Sequence, residues 1–218
     1  MSILGSLLAM SASGFQVAQA VATPRTPQAP TDTILVIGDS LSAEYGLARG
    51  TGWVNLVSQR LKDSFPEYQI RNSSISGDTT SGGLSRLSTA LIQYSPKWVL
   101  IELGANDALR GLSLDMTQKN LEHMVEQVKA SGAQVILVGM QIPPNYGKTY
   151  TEQFQNLFPT IAEKTQSALV PFLLSGIETQ ADMFQADGLH PNETAQPVLA
   201  NNVWAVLEPL LHKERAMQ

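Results

Sequence analysis

Ser40, Asp187 and His190 are the residues of this sequence whose types and spacing best suit acyl-transfer chemistry. A serine hydroxyl becomes a nucleophile only beside a base, and the chain contains no cysteine that could replace it. His190 follows Asp187 by three residues, so the carboxylate can hold the imidazole Nδ1–H and leave Nε2 free to take the Ser40 proton. The other two histidines, His123 and His212, lie in helical stretches where surface roles explain them. We therefore expect Ser40 as nucleophile, His190 as base and Asp187 as the acid that orients it.

Structural roles compete with this interpretation. Asp39 or Ser40 could cap the N-terminus of a helix, where short polar side chains are favoured. Asp187 could likewise cap a helix that Pro191 begins. Each cluster has such an explanation when it is taken alone, and only their convergence at one place in the fold favours catalysis.

Acyl transfer also needs hydrogen-bond donors for the oxyanion that develops on the substrate carbonyl. The Ser40 N–H, the Gly77 N–H and the Asn106 side-chain amide are candidates for these donors. Taken alone, Gly77 is a common turn residue and Asn106 a common turn cap, and Asp107 is expected to be a structural turn residue.

The elements that must position these residues alternate between strand and helix. Apolar, β-branched runs predict five strands, and segments of helical period lie between and after them. The expected strands are Thr33–Ile37, Tyr68–Asn72, Trp98–Glu102, Gln134–Val138 and Ala168–Pro171. The expected helices are Trp53–Leu61, Leu84–Tyr94, Thr117–Ala130, Gln153–Lys164 and Thr194–Leu211. This alternation predicts an α/β fold, a three-layer α/β/α sandwich with five parallel strands. Ligands bind at the carboxyl ends of such strands, which is where all four polar clusters fall.

Six segments of the chain together resemble the characteristic blocks of the SGNH, or GDSL, hydrolase superfamily. They are Gly38-Asp39-Ser40-Leu41-Ser42-Ala43, Ile75-Ser76-Gly77-Asp78-Thr79, Gly83-Leu84-Ser85-Arg86-Leu87, Glu102-Leu103-Gly104-Ala105-Asn106-Asp107-Ala108-Leu109-Arg110-Gly111, Pro143-Pro144-Asn145-Tyr146-Gly147 and Asp187-Gly188-Leu189-His190-Pro191. The resemblance covers Asp32 to about Leu211 and is greater still to the bacterial periplasmic group of thioesterase I, lysophospholipase and arylesterase.

The resemblance implies a flavodoxin-like sheet and the same site: Ser40 as nucleophile, Gly77 and Asn106 as oxyanion donors, Asp187 and His190 as acid and base. It also implies a mobile loop at Ala108–Ser113 that helps to hold acyl chains. Two positions depart from the family pattern. Glu44 replaces a small residue, and Ala105 stands where glycine is common. Glu44 is expected near the mouth of the site, where it would repel anionic substrates such as acyl-CoA.

The leading functional hypothesis is a serine esterase that hydrolyses carboxylic esters through an acyl-enzyme, with acyl thioesters and lysophospholipids as further candidate substrates. No metal or organic cofactor is required. Five apolar residues are candidates for an acyl groove, with ordinary loop packing as the alternative: Leu109, Leu112, Ile142, Pro143 and Tyr146. A deacetylase for carbohydrate or other small esters is the rival on the same scaffold.

A non-catalytic ligand-binding module is the alternative from a different class of protein. The Gly38–Ser42 segment has neither the Gly-x-Gly-x-x-Gly nor the Walker pattern of nucleotide-binding loops, and a binding module needs no Asp-x-x-His pair. Charge argues against other partners: 14 basic and 19 acidic residues give a net charge of −5, without a basic cluster for nucleic acid or an anionic membrane. The absence of cysteine excludes disulfides and thiolate metal sites. The sequence leaves the oligomeric state open.

The N-terminal residues are typical of an export signal. Residues 1–20 hold a short apolar run that ends in Ala18-Gln19-Ala20, which predicts a signal peptide cleaved after Ala20, although the first basic residue is Arg25. The run is too short and interrupted for a membrane span. We expect an extended, proline-containing leader over 21–31, one hydrolase domain over 32–212 and a tail over 213–218. The enzyme is thus expected in the periplasm or outside the cell.

Overall fold

The apolar runs of the sequence form one parallel sheet in the computed structural model, which describes residues 31–217. Its strands are β1 (Asp32–Gly38), β2 (Tyr68–Asn72), β3 (Trp98–Glu102), β4 (Gln134–Val138) and β5 (Ala168–Val170). They lie in the order β2-β1-β3-β4-β5, and every pair is parallel. In this register Val36 of β1 lies opposite both Asn72 and Leu100. The predicted α/β sandwich with five parallel strands is confirmed.

Helices cover both faces of the sheet. Their bounds are α1 (Trp53–Ser64), α2 (Thr80–Tyr94), α3 (Ala105–Leu109), α4 (Leu114–Ala130), α5 (Lys148–Thr165) and α6 (Gln196–Ala216). Helices α1 and α6 pack together on one face, and α2, α4 and α5 pack on the other. All five residues of β3 are buried, as a central strand covered on both faces requires. Trp53, Phe65, Phe154 and Phe158 are the largest fully buried side chains of the core.

Several helices begin before the residues predicted from apolar periodicity. The Thr79 side chain accepts a hydrogen bond from the Gly82 N–H, and that of Ser113 accepts one from the Met116 N–H, so both helices start at polar caps. The first turn of α2 has no apolar side chain, so its apolar periodicity begins only at Leu84. Helix α3 lies where only a loop was expected. At the other end of the chain α6 runs to Ala216, so residues 213–216 belong to this helix and not to a separate tail.

The site is positioned by the point at which the strand order reverses. Because β1 is followed by β2 on one side and neighbours β3 on the other, the loops after β1 and β3 separate there and leave a crevice.

No helix within residues 31–217 is both long and apolar enough to span a bilayer. The expected signal peptide, and the leader apart from Thr31, lie outside the described residues.

Candidate active site

The three residues expected to do the chemistry lie in one hydrogen-bonded chain. The Nε2 of His190 is 3.0 Å from the Oγ of Ser40, although the two residues are 150 positions apart in sequence. The Nδ1 of the same ring is 2.6 Å from the Oδ2 of Asp187. Ser40 lies directly after β1, whereas Asp187 and His190 lie in the loop between β5 and α6. This arrangement can pass the serine proton to the imidazole.

Asp187 is held as an anion by its own turn. Its Oδ1 accepts the backbone N–H groups of His190, at 3.0 Å, and of Leu189, at 2.9 Å. These two bonds, followed by the bond to the His190 ring, lower the pKa of Asp187 from 3.8 to about 2. A carboxylate that remains ionised fixes the tautomer in which Nδ1 carries the proton and Nε2 accepts one.

The imidazole is also held on its open side, by residues that the sequence analysis did not single out. The Tyr45 ring packs against His190 with 4.5 Å between the ring centroids. Gln185 donates its backbone N–H to the His190 carbonyl and its side-chain amide to the Tyr45 carbonyl. The loops after β1 and β5 are thereby joined around the histidine.

The three candidate oxyanion donors follow strands β1, β2 and β3 at one edge of the sheet. Gly77 has φ of +78°, a conformation that favours glycine, and its carbonyl accepts a hydrogen bond from Arg110 at 2.8 Å. Neither the Ser40 nor the Gly77 N–H is taken up by another group within residues 31–217. Asn106 lies in the first turn of α3 and donates one Nδ2–H to the Oδ2 of Asp39 at 2.9 Å, and its second N–H has no acceptor among residues 31–217.

A pair of buried carboxyl groups lies beneath Ser40. Asp39 is 1% exposed and Glu102, the last residue of β3, is fully buried. The Oε2 of Glu102 accepts bonds from the Ser42 hydroxyl at 2.7 Å and the Asp39 N–H at 3.2 Å. A Cβ at Gly38 would lie 2.8 Å from Glu102 Oε2, so only glycine admits the carboxyl this close. Burial raises the pKa of Asp39 from 3.8 to about 6, and burial together with the Asp39 charge raises that of Glu102 well above 4.5.

A cavity of about 650 Å³ opens beside Ser40 and His190. Of the five expected groove residues, Leu109, Ile142 and Pro143 line it. Leu112 and Tyr146 do not line the cavity and lie half-exposed outside it, with the Tyr146 hydroxyl bonded to the Leu109 carbonyl at 3.3 Å. The lining residues that sequence reasoning missed include Met140, Phe172, Leu174, Glu178 and Phe184. They come from loops without a motif, and the only available signal was their position after β4 and β5.

The expectation that Glu44 stands at the mouth of this site is wrong. Glu44 adopts a positive φ of 59°, and its carboxylate accepts the backbone N–H groups of Gly50 and Gly52 within its own loop. It lines a separate shallow depression with Val54 and Asn55. Its negative charge is therefore used to hold the β1–α1 loop and is not presented to the Ser40 cavity.

The other side chains considered have the structural positions expected of them. Asp107 is 3% exposed and accepts bonds from the Thr80 N–H and hydroxyl, which ties α3 to α2. His123 and His212 are exposed on α4 and α6. No group of three or more potential metal ligands occurs among residues 31–217.

The site combines a serine–imidazole–carboxylate chain, candidate N–H donors and an apolar cavity, and it lies where the strand order of a parallel sheet reverses. This is the architecture of an SGNH-type serine hydrolase. A family model described as the GDSL-like lipase/acylhydrolase family matches residues 36–196, and the chain belongs to this family. It is an ester hydrolase.

Three relatives illustrate the similarity. Esterase TesA of Pseudomonas aeruginosa is 48% identical over 186 residues, which is 85% of this chain and 92% of that protein. Thioesterase 1/protease 1/lysophospholipase L1 of Escherichia coli is 38% identical over 186 residues, 85% of this chain and 88% of that protein. The solved structure of the psychrotrophic esterase EstA from a Pseudoalteromonas species, inhibited by monoethylphosphonate, superimposes with a TM-score of 0.79 at 41% identity, covering 83% of this chain and 99% of that one.

Proposed function

We propose that the enzyme hydrolyses carboxylic esters with acyl groups longer than acetyl through a covalent acyl-enzyme on Ser40. The observation that carries this proposal is the continuous chain from Ser40 Oγ through His190 to Asp187, with separations of 3.0 and 2.6 Å. Such a chain activates a serine hydroxyl, and a binding module has no use for it.

The reaction proceeds in two steps. His190 Nε2 removes the Ser40 proton as Oγ attacks the substrate carbonyl, and the N–H groups of Ser40, Gly77 and Asn106 bind the resulting oxyanion. The imidazolium then gives its proton to the leaving alkoxide, and the acyl group remains on Oγ. In the second step His190 takes a proton from water, the hydroxide attacks the acyl carbonyl, and Ser40 leaves with the returned proton.

The shape of the cavity supports an extended acyl group as the substrate. A volume of about 650 Å³ lined by Leu109, Ile142 and Phe172 is far more than an acetyl group needs and lies within the range of cavities that hold larger apolar ligands. The Escherichia coli relative is named as a thioesterase and lysophospholipase, so acyl thioesters and lysophospholipids are the further substrates to test. Glu44 is no obstacle to anionic acyl-CoA because its carboxylate is held within its own loop.

Covalent labelling tests the nucleophile directly. Wild-type enzyme should bind one equivalent of a fluorophosphonate probe, and Ser40→Ala should bind none and should hydrolyse p-nitrophenyl butyrate at the background rate. Ser131→Ala, which changes an exposed serine after α4, is the matched control and should label fully. Turnover retained by Ser40→Ala would refute the assignment.

The acyl preference and the role of His190 need separate measurements. In a series of p-nitrophenyl esters we expect higher kcat/KM for C6 and longer chains, whereas activity on acetate alone would favour the deacetylase.

The kcat/KM should fall as the solution is acidified, because only a neutral imidazole can accept the Ser40 proton. A flat profile between about pH 5 and 8 would contradict His190 as the base.

We also propose that the enzyme is exported by cleavage after Ala20, as the Ala18-Gln19-Ala20 site suggests. Expression of the full chain in a Gram-negative host, followed by N-terminal sequencing of the periplasmic protein, tests this. A mature protein that begins at Val21 supports the proposal, and an uncleaved cytoplasmic product contradicts it.

A further inference from the structure

Asp39 has no assigned part in the reaction, although it lies directly before the nucleophile and is 1% exposed. Its Oδ1 accepts the Leu41 N–H at 3.0 Å, and its Oδ2 accepts the Asn106 side-chain N–H at 2.9 Å. It therefore joins the turn that presents Ser40 to the helix that presents Asn106. We infer that Asp39 is a positioning residue, whose buried carboxylate holds the Asn106 amide with its nitrogen toward the oxyanion.

The argument starts from the two orientations of a carboxamide. With Nδ2 toward Asp39, one N–H is bound by the carboxylate and the second can point at the substrate oxygen. In the flipped orientation Asn106 Oδ1 would face a carboxylate oxygen, and two acceptors without a proton between them repel. An ionised Asp39 therefore selects the donor orientation. A protonated Asp39 could donate to Oδ1 and stabilise the flipped amide, which presents no N–H to the oxyanion.

Glu102 explains how Asp39 can remain ionised in a buried position. Its side chain is fully buried, its Oε2 is occupied by the Ser42 hydroxyl and the Asp39 N–H, and no donor among residues 31–217 reaches its Oε1. A carboxylate would leave this atom uncompensated, so the group is held as a carboxylic acid. Glu102 thus keeps its proton, and Asp39 carries the negative charge of the pair.

The other charges that face Asp39 come from neighbouring loops. His190 stabilises the Asp39 anion when the imidazole is protonated, and Asp78 opposes it. Asp78 is itself paired with Arg86 at 2.8 Å. Burial is the largest influence and raises the pKa of Asp39 to about 6, so the carboxylate is the main form at neutral pH. Acidification through about pH 6 would release the Asn106 amide.

This inference rests on the proposed function, because it requires Asn106 to be an oxyanion donor, and a double-mutant cycle tests it. Asp39→Asn places an amide beside Asn106 that can bond to either orientation. We expect Asn106→Ala to lower kcat about 10²–10³-fold and Asp39→Asn to lower it by a smaller factor, because part of the Asn106 amides keep the donor orientation, with little change in KM in either variant. The double variant should be no slower than Asn106→Ala. The inference would be overturned if the double variant lost kcat by the product of the two single losses, or if Asn106→Ala kept the wild-type kcat. Failure of the proposed function appears separately, as turnover by Ser40→Ala.

The acid limb of the pH profile of kcat/KM supplies a second readout, which begins with the wild-type enzyme itself. If protonation of either His190 or Asp39 stops the reaction, log kcat/KM of the wild type should fall by two units per pH unit at the acid end of the profile. Asp39→Asn should fall by only one. Glu102→Gln should retain the two-proton limb, because its amide oxygen can still accept the Asp39 N–H and Asp39 remains the titrating group. If the acid limb had a slope of one proton in the wild type or in Glu102→Gln, Asp39 would not be the residue that positions Asn106.

Discussion

Replacing Asp39 by asparagine should make the fold more stable at neutral pH while it slows the reaction. Burial raises the pKa of this carboxyl from 3.8 to about 6. A difference of about two pKa units between the folded and unfolded states corresponds to about 3 kcal/mol, at about 1.4 kcal/mol per unit. The amide of the Asp39→Asn variant is neutral, can still accept the Leu41 N–H and avoids this cost. The gain expected at pH 7 is therefore up to about 3 kcal/mol, or about 6–12 °C in Tm for a domain of this size.

The pH dependence of this gain has a definite sign. Between pH 3.8 and about 6 the folded wild type binds more protons at Asp39 than the unfolded chain does. The contribution of this group to stability therefore falls as pH rises through that window. Below pH 3.8 the carboxyl is protonated in both states and the cost disappears. The difference in Tm between Asp39→Asn and wild type should be small near about pH 4 and reach its plateau near about pH 7.

Scanning calorimetry of both proteins across this pH range measures the difference. Asp63→Asn, which changes an exposed aspartate on α1, is the matched control and should show no such pH-dependent gain. A difference in Tm that is constant with pH, or an Asp39→Asn protein less stable than wild type at neutral pH, would refute the reasoning. The expected outcome would show that Asp39 lowers the stability of the fold while it serves the reaction.

Three further variants test other parts of the site. Asp187→Asn should lower kcat by up to about 10⁴-fold, because the imidazole is no longer held in the accepting tautomer. Its Tm should stay close to that of the wild type, since the side chain is 39% exposed, and a large loss of Tm would indicate a structural role. Ile142→Trp should narrow the cavity and lower kcat/KM for p-nitrophenyl octanoate far more than for the acetate, and equal losses would mean that Ile142 does not contact the acyl chain. Glu44→Gln should leave the ratio of kcat/KM for octanoyl-CoA to that for p-nitrophenyl octanoate unchanged, and a marked rise would show that its charge does reach the substrate.

The residues proposed to carry the chemistry could be singled out because the sequence offers few alternatives. With three histidines and no cysteine, only His190 has a nearby aspartate in a turn that follows the last strand. The strands themselves are continuous apolar runs, and parallel strands bring their carboxyl ends to one edge. Proximity of Ser40 to His190 thus follows from topology, although 150 positions separate them.

Side-chain direction and burial could not be predicted in the same way. Leu112 and Tyr146 are apolar and lie on the correct loops, yet they stand outside the cavity that Leu109 lines. Glu44 was expected to face the substrate, but the nearby Gly50 and Gly52 N–H groups bind its carboxylate. Loop backbones set these directions, and loops carry no periodic pattern from which a direction can be read.

The sequence by itself determined the five strands and the helices other than α3, the edge at which the site forms, and the serine, histidine and aspartate that lie there. Only the tertiary structure decided that Asp39 and Glu102, 63 positions apart, share one buried space beneath the nucleophile. The physical reason is that apolar periodicity and rare residue types are local properties of a chain. The environment of a carboxyl group, which sets its charge, is made by neighbours from distant segments.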